Sequence, residues 1–394
     1  MTTVKHVHEH IDSLIRRPLE AEGIPLNESL HRILREPIRA EEDQPPFHRS
    51  SIDGYLTHPD QLAGKVRLLF AHSPRETIPT LPSIGTAFRI FTGSSLPSGG
   101  ALVMQEDTRV LSEQQIELLK KPSSSLIRPQ GSQARKGDIL LHSPSRLESG
   151  SLALLAALGI SQPKVSRLPK VAHLVTGAEL TDPSAPPQAG KIRDSNSTMI
   201  RSLLQSYPAN LFWHGRIGDD RKGFLHSLTE ALSYHPDLVL LSGGSSVGDH
   251  DHTGSVLEET GFQILIRQVA VRPGKPLILA KKGDTLAFGL PGNPLSHFVC
   301  FHLFVRRALD HWVNQPQHPL IRAELTPGAE IKADPRETWW PCRLSNRGTT
   351  LTATPLLWQD SSDLSCLAQS NALLRIPAGQ EAGSPIEVLP TIPW

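Results

Sequence analysis

Hydrophobic positions along the chain fall into four successive patterns. Between residues 1 and 43 they recur at helical spacing, with Val4, Val7, Ile11, Leu14 and Ile15 in one stripe and Leu26, Leu30, Ile33 and Leu34 in another. Two helices are expected, the second opened by Asn27 as N-cap and stopped before Pro45-Pro46, because proline restricts its own backbone and that of the residue before it. From 47 to 133 the segments are short and broken by Pro and Gly. Strands are expected at Phe88 to Phe91 and Ala101 to Met104, around the turn Leu96-Pro97-Ser98-Gly99-Gly100. Leu152 to Leu158 predicts a helix ended by Gly159.

Residues 168 to 310 change character. Apolar strands are expected at Val171 to Val175, Leu211 to Gly215, Asp237 to Leu241, Pro276 to Ala280 and Leu286 to Gly289. Helices are expected over Ser197 to Ser206, Arg221 to Ser233 and Asn293 to Leu309. Fully apolar strands alternating with helices predict a mostly parallel sheet covered on both faces, a three-layer α/β unit. The last 80 or so residues return to short alternating segments, at Arg322 to Leu325, Trp339 to Leu344 and Leu351 to Leu356, which predict a small all-β module. The chain therefore reads as multidomain α/β plus β. Residues 1–43 with 134–166 are assigned to a helical and linker domain, 44–133 to a β-rich domain, 167–314 to the α/β domain and 315–394 to the all-β module.

Composition narrows the function. The 394 residues carry 40 Lys+Arg against 39 Asp+Glu, a net charge of +1, which argues against a nucleic-acid binder relying on bulk positive charge. Cys300, Cys342 and Cys366 fit neither a disulfide framework nor a four-thiolate zinc site. The polar start MTTVKHVHEHIDSLIRR has no apolar h-region, and Leu152 to Ile160 is far short of the roughly 20 residues of a membrane helix. A cytoplasmic protein without membrane or nucleic-acid partners is expected. There is no Walker A sequence, Rossmann G-x-G-x-x-G or HExxH.

Candidate chemistry gathers at strand ends, where open α/β sheets bind ligands. Ser242-Gly243-Gly244-Ser245-Ser246-Val247-Gly248 could form an anion-binding concavity, with the three serine hydroxyls as donors and Asp249 and Asp251 as Mg²⁺ ligands. An ordinary Gly-rich turn is the competing reading. Arg272-Pro273-Gly274-Lys275-Pro276 sets two cations on a rigid turn, suited to an anion or simply exposed. In Leu290-Pro291-Gly292-Asn293-Pro294, Asn293 can cap a helix whose free N–H groups would also attract an anion. Asp219-Asp220 and Arg193-Asp194-Ser195-Asn196 are either ligand groups or caps. Asp53-Gly54 and Thr92-Gly93 are similarly ambiguous.

With these loops laid out, the sequence resembles the molybdopterin molybdenumtransferase family of bacterial MoeA and the gephyrin E domain. The family's P-P-F-x-x-S-x-x-D-G-Y is matched by Pro45-Pro46-Phe47, Ser50, Asp53, Gly54 and Tyr55. Its T-G-x-x-x-P-x-G motif is matched by Thr92, Gly93, Pro97 and Gly99, followed by Val103 and Glu106. S-G-G-x-S-V-G-x-x-D is matched over Ser242 to Asp251, and P-G-K-P and L-P-G-N-P stand intact at Pro273 to Pro276 and Leu290 to Pro294.

The resemblance implies an elongated homodimer with a MogA-like molybdopterin-binding domain, β-rich elongated N-terminal domains and a small C-terminal β-barrel. It implies insertion of molybdate into adenylylated molybdopterin with release of AMP and a requirement for Mg²⁺. On that pattern Asp53, Asp220 and Asp251 are catalytic, with Asp220 and Asp251 at the metal. The ligand is held by Thr92, Ser242, Gly243, Gly244, Ser245, Ser246, Gly248, Pro273, Gly274, Lys275, Pro276, Pro291, Gly292, Asn293, Pro294 and Ser296. Arg336, Arg343, Ser361 and Ser362 are the candidates for molybdate. Molybdopterin adenylyltransferase and molybdoenzyme maturation proteins are the implied partners.

The chain departs from the pattern at Gly131-Ser132-Gln133, Ala178, Arg272 and Asp360-Ser361-Ser362-Asp363. These departures motivate the alternative of a diverged, non-catalytic paralogue that binds molybdopterin or a nucleotide.

Overall fold

The computed structural model describes residues 1–69, 80–207, 209–217, 220–243, 252–329, 331, 333–348, 350–383 and 385–392. The chain divides into two compact units. One comprises Met1–Arg35, Arg146–Glu148 and Gln162–Trp394, the other Glu36–Ser145 and Ser149–Ser161.

The first unit opens with helix α1 (Val4–Leu14), capped by the Thr3 hydroxyl, which accepts from the His6 N–H at 3.2 Å. Its stripe Val4, Val7 and Ile11 is buried as the spacing requires. The second expected helix does not form. Leu26–Glu28 makes one 3₁₀ turn, and Ile33–Leu34 is a strand in which Leu34 pairs with Val165. Leu30 is 43% exposed while Ile33 and Leu34 are buried, so the four positions never share one face, and sheet pairing overrides the periodicity.

The centre of this unit is a six-stranded sheet. In chain order its elements are β1 (Lys170–Thr176), α2 (Ser195–Ser206), β2 (Asn210–Ile217), α3 (Arg221–Ser233), β3 (Leu238–Ser242), α4 (Thr253–Glu259), β4 (Gln263–Ile266), β5 (Ile278–Lys282) and β6 (Thr285–Leu290). The spatial order is β2-β1-β3-β6-β5-β4. The first four strands are mutually parallel, and β5 is antiparallel to both neighbours.

Because strand side chains alternate faces, Leu238 and Leu240 join Val171, Leu286 and Phe288 in one core with α1 and α2. Val239 and Leu241 join Ala172, Leu174 and Ala287 in the other, against Phe224 and Leu228 of α3 and Val256 and Leu257 of α4. The expected helix after β6 is three continuous pieces, α5 (Pro294–Cys300), a π turn at Phe301–Val305 and α6 (Arg306–Val313).

The C-terminal strands β7 (Ile321–Leu325), β8 (Glu337–Arg347), β9 (Thr350–Pro355), β10 (Ala372–Ile376) and β11 (Ile386–Pro390) close a ring, β8-β9-β7-β11-β10-β8, around Cys342, Leu344, Ala353 and Val388. Val271–Arg272 pairs in parallel with Glu337 and Thr338, which ties the loop before β5 to the barrel.

The second unit holds a six-stranded sheet in the order Thr108–Ser112, Gln115–Leu118, Gly64–Leu68, Thr86–Ile90, Gly54–Thr57, Ala101–Met104, and a three-stranded one that includes His48–Ser50. A helix at Ser149–Ala157 is followed by Gly159 at φ +74°, the left-handed stop its glycine signalled. Among the described residues no helix is long and apolar enough to cross a membrane. The three cysteines are free and buried.

Leu240 lies on a central strand with no exposure. Leu240→Ala is expected to cost roughly 2–5 kcal/mol in denaturant unfolding; a loss within about 0.5 kcal/mol, as for a surface site, would contradict its place in the core.

Candidate functional site

Strand order sets the position of the site. The chain leaves β1 toward β2 on one side and returns to β3 on the other, so the crevice of the sheet opens beyond the carboxyl ends of β1 and β3. Gly243 sits there at φ +92°. A Cβ on it would lie 2.6 Å from the carbonyl oxygen and 3.0 Å from Oγ1 of Thr176, so only glycine permits this approach. The Gly243 N–H donates to the Leu290 carbonyl at 3.3 Å, which draws the tip of β6 to that of β3. Nδ2 of Asn196, in the first turn of α2, donates to the Gly292 carbonyl at 2.7 Å.

Ser242 does not serve as the expected phosphate donor. It is fully buried, and its hydroxyl lies 2.6 Å from Nε2 of His173, whose Nδ1 lies 3.1 Å from Nδ1 of His214. As the last paired residue of β3 it faces into the layer and supports the Gly243 turn from beneath. Burial first, then the neighbouring His214, His297 and Arg201, push the His173 pKa well below the ordinary range, so the ring is neutral.

The two remaining loops converge. Arg272, Pro273, Gly274, Lys275 and Pro276 share a cavity of about 530 Å³ with Pro291, Gly292, Asn293 and Ser296, and Arg336, Trp358 and Ser361 complete its wall. Gly274 is at φ +119°, and a Cβ there would meet Sγ of Cys300 at 2.7 Å, so the loop packs directly on α5. Asp334 anchors the charge. One of its carboxylate oxygens takes Nη1 of Arg272 at 3.0 Å, and the other takes Nε of Arg336 at 3.1 Å and its backbone N–H at 2.9 Å. Burial alone would raise the Asp334 pKa. The Arg336 hydrogen bonds and the two guanidinium charges outweigh it and hold the carboxyl below its usual range. One carboxylate thus fixes two guanidiniums, and Lys275 adds a third cation.

Asn293 begins α5 without capping it, because its Nδ2 donates instead to the Ser361 hydroxyl at 2.7 Å. The Leu295 N–H donates to the Ser361 carbonyl at 2.9 Å, so the helix start holds the barrel segment rather than standing open. Pro294 occupies the first turn of this helix.

The other expected residues lie elsewhere. Gly244, Ser245, Ser246, Gly248 and Asp251 fall outside the described residues. Asp220 caps α3, taking the N–H groups of Lys222 at 3.2 Å and Gly223 at 2.8 Å. Two of roughly four carboxylate lone-pair sites are thereby used, which leaves room for a cation on the others. Among the described residues there is no cluster of three or more His, Cys, Asp or Glu fit to hold a metal.

Asp53, in the second unit, accepts from the Thr92 N–H at 2.7 Å and hydroxyl at 2.9 Å. These two bonds hold its pKa below the usual carboxylate range. Arg343 and Ser362 are not part of the cavity wall. Arg343 reaches the Gln369 carbonyl at 3.4 Å, and the Ser362 N–H and hydroxyl both go to Asp360.

Sequence reading missed Asp334, Trp358 and His297. Arg272 lies over the Trp358 ring at 5.8 Å, and Nδ1 of His297 lies 3.0 Å from the Pro291 carbonyl. No spacing marks them, since each reaches the site from a different element.

Burial lowers the His297 pKa to about 4. The unfolded ring titrates near 6.5, so as pH falls the unfolded chain binds the proton first. Its stabilising contribution is complete above about pH 6.5 and disappears toward pH 4. The stability gap between the wild type and His297→Asn is therefore expected to narrow over that interval in pH-resolved urea unfolding; a constant gap would contradict a buried neutral ring.

Residues 2–159 match the MoeA N-terminal region (domain I and II), 172–311 the probable molybdopterin binding domain and 325–391 the MoeA C-terminal region (domain IV). The chain is 32% identical to a molybdopterin molybdenumtransferase of Bacillus subtilis over 96% of this chain and 93% of the relative. It is 35% identical to one of Haemophilus influenzae over 76% and 75%. A solved molybdopterin biosynthesis MoeA protein from Pyrococcus horikoshii superposes with a TM-score of 0.80 over the whole of both chains, at 25% identity.

Proposed function

The chain belongs to the MoeA family of molybdopterin molybdenumtransferases, and from that premise we propose that it inserts molybdate into adenylylated molybdopterin with release of AMP. The observation that carries this reading is the single cavity in which the 272–276 and 291–293 loops meet Arg336 and Ser361.

The reaction brings together two anions, an oxyanion and a phosphoanhydride, and their mutual repulsion is the first obstacle. Arg272 and Arg336, fixed through Asp334, present positive charge that needs no reorganisation as the anions approach. Lys275 supplies a compact ammonium, and the Ser361 hydroxyl, held by Asn293, can turn its proton toward an oxyanion oxygen. Gly243 and Gly274 let the strand-tip loops pack against Thr176 and Cys300, which brings the loops that would take the pterin nucleotide close together.

Mg²⁺ is part of the proposal, with Asp220 and Asp251 as its ligands; when bound it neutralises phosphate charge. A homodimer is also proposed, in which a second copy supplies Asp53 and Thr92 to the pocket, with molybdopterin adenylyltransferase and molybdoenzyme maturation proteins as partners in a cytoplasmic setting.

The test mixes protein, adenylylated molybdopterin, Mg²⁺ and molybdate and follows AMP. Release is expected to depend on molybdate and to vanish in Asp251→Ala. Lys275→Ala is expected to weaken binding of the adenylylated pterin by about 1–3 kcal/mol, as for a charge-assisted contact. Tight binding without AMP release in the wild type would assign the chain a non-catalytic role instead. Unchanged affinity in Lys275→Ala would remove that loop from the site.

A further inference from the structure

A second cavity, of about 330 Å³, lies between α1, the π turn with α6, and the barrel. It shares no residue with the cavity at the strand tips. Its apolar wall comes from Val4, Leu303, Leu320, Trp339 and Leu389. Its polar wall holds an unusual concentration of buried groups without hydrogen-bond partners among the described residues: Nε2 of His302, Nε of Arg306, Oδ1 of Asp310 and Nε2 of Gln317. His302, Arg306 and Asp310 are each at least nine-tenths buried. Buried polar atoms are ordinarily paired, and leaving one unpaired costs roughly 1–3 kcal/mol, so four such atoms among the residues that line one small cavity call for an explanation.

The protein's own contacts do not supply it. Arg306 and Asp310 come no closer than 3.9 Å, beyond hydrogen-bond reach, and Nη1 of Arg306 goes instead to the Pro390 carbonyl at 3.2 Å. Arg307 is committed to Asp12 by two bonds of 2.6 Å, and Arg375 to Glu337 and Glu387. Arg306 also lies over the Tyr207 ring at 5.1 Å, and its buried Nε–H keeps no hydrogen-bond partner.

Each of the four orphan groups can donate. Arg306 Nε and Gln317 Nε2 can only donate, and the neutral His302 ring can donate from Nε2 while Nδ1 faces the Tyr207 hydroxyl at 3.5 Å. Burial raises the Asp310 pKa to about 7, against the pull of Arg306 and Arg307, so this carboxyl too can present a proton near neutrality. The π turn that brings His302 and Arg306 to the same wall is a helix irregularity of the kind concentrated at functional sites.

We propose that this cavity is a binding site for a small organic monocarboxylate with an apolar body, its carboxylate taken by Arg306, Gln317 and His302 and its hydrocarbon by Leu303, Leu320 and Trp339. The volume is at the small end of ligand pockets, which suits a body of a few carbons rather than a nucleotide. This site is independent of the molybdate reading and stands or falls separately from it.

Calorimetric titration of the full chain with 4-methylpentanoate, and with 4-methylpentanamide as its uncharged counterpart, tests the proposal. The acid is expected to bind at least about ten-fold more tightly than the amide, the ratio of a charge-assisted to a neutral hydrogen bond. Arg306→Met is expected to erase that preference. If that variant does not fold, Gln317→Leu, at a half-buried position, is expected to weaken the acid several-fold and leave the amide unchanged. Equal binding of acid and amide, binding of neither, or acid binding unaffected by these substitutions would each overturn the assignment.

Discussion

One carboxylate organises the charge of the candidate active site. Asp334 is largely buried, and between its two oxygens it holds Arg272, from the loop that precedes β5, and Arg336, from the segment entering β8. Two guanidiniums left to themselves would repel and swing into water. Tied to one anion, they keep fixed positions and still leave the cluster net positive, with Lys275 adding to the excess. The parallel pairing of Val271 and Arg272 with Glu337 and Thr338 is the backbone counterpart of this contact. It holds the α/β sheet and the barrel in the register that the ion pairs require.

The rest of the site follows from close backbone approach at the strand tips. The order β2-β1-β3-β6 opens a crevice at β1 and β3, and Gly243 lets the third strand come within contact of Thr176. Beneath that turn a neutral His173 holds Ser242, and a neutral His297 faces the Pro291 carbonyl. Both histidines are buried deeply enough that a charge would be costly, so they serve as uncharged hydrogen-bonding struts in a site that must present cations only on its surface.

The α/β unit was legible in the sequence because its signals are local and strong. The continuous apolar run at 238–241 forms β3, Gly159 ends its helix, and Arg221 to Ser233 is helical over the expected span. The stripe at Leu26 to Leu34 misled because a short apolar spacing fits a helix as well as two separated β segments, and pairing with Val165 decides between them. In the site, loops carrying glycine, proline and charge announced themselves, as Lys275, Gly292 and Asn293 did. Ser242 had the right residue type at the right strand end but the wrong side of the pleat. Asp334 and Trp358 could not be read at all, because their role exists only once the barrel is closed against the sheet.

In the proposed reaction the oxyanion would sit among Lys275, Arg336 and Ser361, which line one cavity. Anomalous diffraction at the molybdenum edge from crystals soaked in molybdate tests it most directly. A molybdenum peak inside that cavity, lost in Arg336→Ala crystals, is the predicted result. A peak seated elsewhere on the molecule, or one that persists unchanged without the Arg336 guanidinium, would contradict the account.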